Sequence, residues 1–295
     1  MITVRTVDDL RATLAPARRE GRCIGLVPTM GAFHEGHLSL MRAARERCAP
    51  DGVVVVSLFV NPTQFDETAD LAAYPRDEAR DARLAEAEGV DVLFAPPLEE
   101  VYPEGFGTTV RVAGLTDILE GAHRPGHFDG VATVVAKLLS MAQPDVAYFG
   151  RKDAQQAAVI RRLVRDLDLP VEIEVRPIVR EPDGLALSSR NVRLGPEERE
   201  RALSLSRALR AVEEAAAGGA SLDEALAAGR ERLAGVELEY LAAVEPETFA
   251  PAQSLPEEDV LVAVAARVGA VRLIDNTTVR VRTRAHDLGY ETCNA

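Results

Sequence analysis

The chain has 295 residues, 47% hydrophobic and 27% charged, an ordinary balance for a soluble globular protein with one large core or two modest ones. A net charge of −13 speaks against a broad nucleic-acid surface, which would need a basic face, but leaves room for a small basic nucleotide pocket. The first residues lack a secretory pattern and no apolar run approaches membrane-spanning length, so the expectation is a cytoplasmic protein with no membrane segment.

Two residue types are scarce enough to carry information. Cys23, Cys48 and Cys293 are widely spaced and form no Cys-x-x-Cys, which fits a reducing compartment without a disulfide framework or zinc knuckle. Arginine is abundant, whereas lysine occurs only at Lys137 and Lys152. A lysine retained in such a chain points to a site that wants a compact ammonium. Lys137 lies on an apolar segment and reads equally well as a snorkelling or paired side chain.

In chain order, residues 1–22 read as an amphipathic helix leading into a buried strand, Cys23–Val27. The following Pro28-Thr29-Met30-Gly31-Ala32-Phe33-His34-Glu35-Gly36-His37 makes a glycine-containing turn, and Leu38, Leu40, Met41 and Ala44 then fall at helical spacing. A helix N-terminus directs free N–H groups and a positive dipole end at an anion, and His34 and His37 share one face of that entrance. The pair is one residue short of the His-Glu-x-x-His of zinc proteases, so an anion site is preferred over a metal site.

Val53–Val60 is a continuous β-branched run, typical of a strand buried on both faces, and Asn61-Pro62-Thr63-Gln64-Phe65 ends it. A helix over 70–88, a strand at 91–95, and an edge strand or hairpin arm at 108–112 follow. A polar loop at 121–130 leads to an apolar helix at 131–142, a strand at 146–150, a helix from 152 to 166 and a strand at 171–175. This alternation predicts an α/β fold, a Rossmann-like doubly wound parallel sheet over 1–178. The polar segments 28–37, 61–65, 150–153 and 181–190 collect after strands, where such sheets bind ligands. From 179 to 295 a smaller α+β domain is expected to close over the first. It would contain a helix at 196–217, a capping box at Ser221–Glu224, strands near 238–244 and 260–265, and a loose final dozen residues.

Chemically, Gly150-Arg151-Lys152-Asp153 offers close ligand approach, a mobile cation and a carboxylate for a hydroxyl or metal ion, and one of Gln155 and Gln156 must face the cleft. Leu187-Ser188-Ser189-Arg190-Asn191 gathers groups that suit phosphate oxygens. Gln64, beside Asn61, suits a small hydroxy acid. The Walker loop and Gly-x-Gly-x-x-Gly fingerprints are both missing.

Four blocks carry a resemblance: Pro28–Gly31 through His34-x-Gly36-His37, Phe59–Phe65, Phe149-Gly150-x-Lys152-Asp153-x-Gln155-Gln156, and Asp183–Asn191. In this order and spacing they resemble the pantoate–β-alanine ligases of the nucleotidyltransferase superfamily, over nearly the whole chain. The resemblance implies ATP-dependent condensation of pantoate with β-alanine through an enzyme-bound pantoyl adenylate, with Mg2+ bridging the phosphates, in a homodimer. By the same correspondence His34, His37, Lys152 and Arg190 are catalytic, with His37 a candidate proton donor. Met30, Gly36, Gly150, Arg151, Asp153, Val179, Leu187, Ser188 and Ser189 join them around ATP. Gln64, Gln156 and Met30 would hold pantoate, and Gln64, Asn61, Tyr74 and Arg124 β-alanine. The resemblance assigns no metal ligands.

Leu187 stands where methionine is usual, and Arg151 where Glu or Gln is more common. Two rivals remain open: an adenylyltransferase with a phosphate acceptor, and a non-catalytic nucleotide sensor.

Overall fold

A computed structural model describes residues 1–65, 68–253 and 259–279. The expected loose tail and Cys293 lie outside the described residues. The elements begin with β1 (Ile2–Val4), α1 (Val7–Arg19), β2 (Ile24–Thr29), α2 (Glu35–Arg47) and β3 (Val53–Leu58). They continue through α3 (Thr68–Ala73), α4 (Glu78–Ala87), β4 (Val92–Phe94), the short α5 (Leu98–Val101) and α6 (Glu120–His123), and α7 (His127–Ala142). After β5 (Val146–Gly150), α8 (Ala154–Asp166) and β6 (Glu172–Arg176) come α9 (Pro196–Ala217) and α10 (Leu222–Arg230), and then β7 (Glu237–Val244), β8 (Val260–Val268) and β9 (Val271–Val279).

The first six strands form one parallel sheet in the order β1-β4-β3-β2-β5-β6. Val54, Val55 and Val56 are fully buried, as strands covered on both faces require. One face packs against α1, α7 and α8 through Leu10, Leu14, Val135, Leu139 and Ile160. The other packs against α2 and α4 through Met41, Ala44 and Ala85. Chain order reverses between β2 and β5, so the turn after β2 and the turn after β5 open side by side at the carboxyl edge. That is the switch point where doubly wound sheets bind ligands.

β7, β8 and β9 make a separate antiparallel sheet, with α9 and α10 packed on it through Leu205, Leu209, Val212 and Leu226. The Ser221 box closes as expected: Glu224 N–H donates to Ser221 Oγ at 3.3 Å and Ser221 N–H donates to Glu224 Oε2 at 2.8 Å.

Several local expectations need correction. The start of the chain is β1 followed by α1, not helix throughout; Thr6, whose hydroxyl accepts from Asp9 N–H, caps α1 at its start. The 70–88 helix is two helices, because Pro75 lacks an amide donor and Asp77 caps α4 afresh. Residues 108–112 form no strand; Val110 N–H donates instead to Thr133 Oγ1 at 2.9 Å. β9 was not expected, since its run mixes Asp275 and Asn276 into apolar residues. Cys23 and Cys48 also form a disulfide, joining the approach to β2 with the end of α2, against the expectation of unpaired thiols. Their separation of 25 residues hid a pairing that the β2–α2 hairpin folds together.

Candidate active site

The His34 turn is built from backbone outward. Gly31 (φ 88°) and Ala32 (φ 54°) lie in the left-handed region, and a Cβ on Gly31 would come within 2.7 Å of Leu58 Cδ1. The buried Asp81 carboxylate of α4 accepts from Ala32 N–H at 2.7 Å and Phe33 N–H at 2.9 Å, pinning that turn. His34 then caps α2: its Nδ1 accepts from Gly36 N–H at 3.1 Å, while His37 Nδ1 accepts from His34 N–H at 3.4 Å. The ring centroids stand 4.2 Å apart. A Cβ at Gly36 would come within 2.9 Å of the His34 ring, so a side chain there would push that ring out of its capping position.

These bonds fix the tautomers. With each Nδ1 accepting, each neutral imidazole carries its proton on Nε2. Burial, then the Lys152 cation, pushes His34 down to about 4; burial, then His34 and Lys152, pushes His37 down to about 3. Both are therefore neutral donors in the free chain at neutral pH. His37 offers an N–H hydrogen bond there rather than a full positive charge.

The depressed values carry a stability consequence. Between the unfolded value of 6.5 and these folded values the unfolded chain binds more protons, so stability present above pH 6.5 is lost as pH falls through about 4 for His34 and about 3 for His37. The thermal midpoint should fall between pH 6.5 and 4, with a shallower slope in His34→Gln/His37→Gln. Equal slopes in the two proteins would refute this.

Around the histidines a cleft of about 240 Å³ is lined by Met30, Gly36, Gln64, Tyr74, Gln156, Val179, Leu187, Ser188, Ser189 and Arg190, among others. A contiguous lobe of about 410 Å³ extends towards the antiparallel sheet, sharing Arg124, His127, Lys152 and Asp153. The four polar segments expected to converge do so.

Within the cleft, Asn61 is fully engaged: its amide donates to Gln64 Oε1 at 2.9 Å and Gly130 O at 3.2 Å, and its oxygen accepts from Tyr102 at 2.9 Å. Both residues line the cleft, with the Asn61 amide holding the Gln64 side-chain oxygen. Gly130 is obligatory, since a Cβ would lie 2.4 Å from Thr63 O. Arg124 donates to the Gln64 carbonyl at 2.9 Å, as His127 does at the same distance. Tyr74 is buried and lines the histidine lobe together with Ser189.

Of the two glutamines on α8, Gln155 is structural. Its amide donates to Leu115 O and Ile118 O at 2.8 Å and accepts from Glu120 N–H at 3.1 Å. Gln156 lines both lobes. Arg151 departs from expectation: its side chain is exposed and lines neither lobe. Gly150 lines the histidine lobe. Lys137 stands 4.6 Å over the Phe106 ring, outside the cleft, as its paired reading allowed.

The chain as a whole matches the family model described as pantoate-beta-alanine ligase over residues 2–278. The chain belongs to the pantoate–β-alanine ligase family. A pantothenate synthetase of Heliobacterium modesticaldum is 53% identical over 289 residues, covering 94% of this chain and 100% of the relative. The solved pantothenate synthetase of Thermus thermophilus superposes with a TM-score of 0.89 at 52% identity, covering 94% of this chain and 99% of that one. A pantoate-beta-alanine ligase from Francisella tularensis, complexed with beta-gamma ATP and beta-alanine, gives 0.77 at 36% identity, covering 94% and 97%.

Three features of this ligase site were not legible beforehand. Asp81 hides in a helix of alternating acids, although only 1% of it is exposed. Asp70 accepts from Arg190 at 2.8 Å and from Arg193 at 2.9 Å, fixing the Ser188–Arg190 loop from α3. His127 was visible only as one of five histidines; burial, then Arg124, lowers it to about 4. Among the described residues no helix is long and apolar enough to cross a membrane.

Proposed function

We propose that this cleft joins pantoate to β-alanine in two steps on ATP, through a pantoyl adenylate held by the protein. The overall reaction, ATP-dependent condensation of (R)-pantoate with β-alanine, is the ligase activity of the family. The observation that carries the two-step reading is a neutral Gln64/Gln156 pocket beside a cationic and N–H-rich wall of His34, His37, Lys152 and Arg190.

In the first step a pantoate carboxylate oxygen attacks the α-phosphorus of ATP, the bond to the β-phosphate bridging oxygen breaks, and pyrophosphate leaves with its electron pair. Negative charge grows on the α-phosphoryl oxygens and the leaving group. In this reading the Nε2–H groups of His34 and His37, the α2 N-terminus, Lys152, Ser188, Ser189 and Arg190, which line one cleft, receive it. Asp153, Met30, Gly36, Gly150, Val179 and Leu187 complete the nucleotide's surroundings. In the second step the neutral β-alanine amine attacks the acyl carbon, the acyl carbon–oxygen bond breaks, AMP departs with its electron pair and the nitrogen gives up a proton, with Arg124, Tyr74 and Gln64 proposed around β-alanine and Asn61 in support of Gln64.

Among the described residues no cluster of three acidic, histidine or cysteine side chains forms a metal cage. That donor set still fits Mg2+, which is commonly held by substrate phosphates plus one or two carboxylates. Asp70, Glu120 and Asp275 are engaged by arginines, so Asp153, which meets Lys152 only at 3.7 Å, would be the carboxylate that holds the ion. When bound, Mg2+ would neutralise phosphate charge.

The family resemblance supports a homodimer, and the use of ATP supports a cytoplasmic setting. Two separate sheets, one ending with β6 at Arg176 and the other starting with β7 at Glu237, support a boundary near residue 178 between a nucleotide- and pantoate-binding domain and a smaller closing domain.

Pyrophosphate release tests the reading: it should require pantoate and become catalytic only with β-alanine, yielding AMP. Turnover without pantoate, or ADP as product, would overturn it. Gln64→Ala should raise the pantoate KM about tenfold or more, the order expected for a lost hydrogen bond to a charged group, with the ATP KM changed less than about twofold. Equal rises in both would place Gln64 elsewhere.

A further inference from the structure

β9 reaches the nucleotide cleft from the antiparallel sheet with two consecutive buried polar residues. Because successive strand side chains point to opposite faces, they grip different segments. Asp275 takes Arg180, at the root of the Ser188–Arg190 loop, through bonds of 2.6 and 3.0 Å. Asn276 turns the other way. Its Nδ2 donates to the carbonyls of Arg151 and Lys152, both at 2.9 Å.

Among the described residues, these are the hydrogen bonds that reach the Lys152 turn from outside β5 and α8. The chain leaves β5 extended at Gly150 (φ −86°, ψ 135°), makes a single 3-10 turn over Arg151–Asp153 and enters α8. A Cβ built on Gly150 would meet nothing within 4 Å, so packing does not confine the turn on that side. Both protons of the Asn276 amide are spent on it, and reversing the amide would set oxygen against two carbonyls. The orientation is kept although Asn276 Oδ1 is buried with no partner among the described residues.

We propose that Asn276 is a positioning residue for Lys152: the antiparallel sheet sets where the ammonium stands by clamping two carbonyls of its turn. This rests on the reading above that Lys152 acts on the nucleotide. The isosteric Asn276→Asp removes both donors, and Asn276→Ala removes the side chain. Each should lower kcat about tenfold or more, the scale on which small misplacements act, with the pantoate KM within about twofold. Asn276→Ser, which keeps one donor, should lie between and serves where the others do not fold. Thr277→Ala, which perturbs the next β9 residue and its bond to Glu213, should leave kcat unchanged.

The deciding readout is a double-mutant cycle. Once Lys152→Ala has removed the ammonium, Asn276→Asp should cost nothing further in kcat. A parental kcat in all Asn276 variants, or losses that multiply in the double variant, overturns the inference. Lys152→Ala with parental kcat would instead overturn the assignment of Lys152 itself, so the two failures are distinguishable.

Discussion

Lys152→Ala should lower kcat at least about a hundredfold, roughly 2.7 kcal/mol of transition-state stabilisation. The argument is one of commitment among cations. Arg190 and Arg193 are both bound by Asp70, Arg180 by Asp275, and Arg272 by Glu120 and Glu239, at distances from 2.6 to 2.9 Å. Lys152 touches Asp153 only loosely, at 3.7 Å. It is the cation most able to follow charge onto the α-phosphate and the departing pyrophosphate. Lys152→Arg should not restore full rate, because a planar guanidinium cannot take the place of a compact ammonium in this turn. Initial-rate kinetics decide it, and a kcat within about threefold of the parent in Lys152→Ala would remove Lys152 from the mechanism.

Asp81→Ala should unfold the site before it touches the chemistry. The carboxylate satisfies two amides of a turn whose Ala32 stands at φ 54°, a conformation that costs a non-glycine residue about 1 kcal/mol or more. Each N–H left unsatisfied costs about 1–3 kcal/mol, so the loss is on the order of 3 kcal/mol. For a chain of this size that lowers the thermal midpoint by about 6 °C or more. Because the turn launches α2, the ATP KM should rise as well, with the pantoate KM less affected. Asp81→Asn keeps one acceptor and should cost less. An unchanged midpoint in Asp81→Ala would show that the turn holds itself.

Most of the parallel sheet was legible because β2, β3, β4 and β5 are short apolar or β-branched runs between helical segments, whereas the three-residue β1 was too short to separate from α1. The site was legible where chemistry is concentrated in short segments: His34 to His37, Asn61 to Gln64, Lys152 and Ser188 to Arg190. What was not legible acts from a distance in sequence. Asp81 holds residues 48 and 49 positions away, and Asn276 holds carbonyls 124 and 125 positions away. Neither has a local pattern, because a buried carboxylate or amide reads like any surface polar residue until the fold supplies its partners. β9 escaped for the same reason: the two polar residues that interrupt its apolar pattern are those that grip the cleft. The Cys23–Cys48 bond is likewise a product of the β2–α2 hairpin rather than of spacing.

The most direct test of the adenylate account follows one oxygen atom. With pantoate labelled with 18O in its carboxylate, attack on the α-phosphorus leaves one labelled oxygen bridging acyl carbon and phosphorus, and aminolysis by β-alanine sends that oxygen out on AMP. The account predicts one 18O in each AMP formed and one retained in the new amide carbonyl. Unlabelled AMP, with the label in inorganic phosphate or in water, would contradict it.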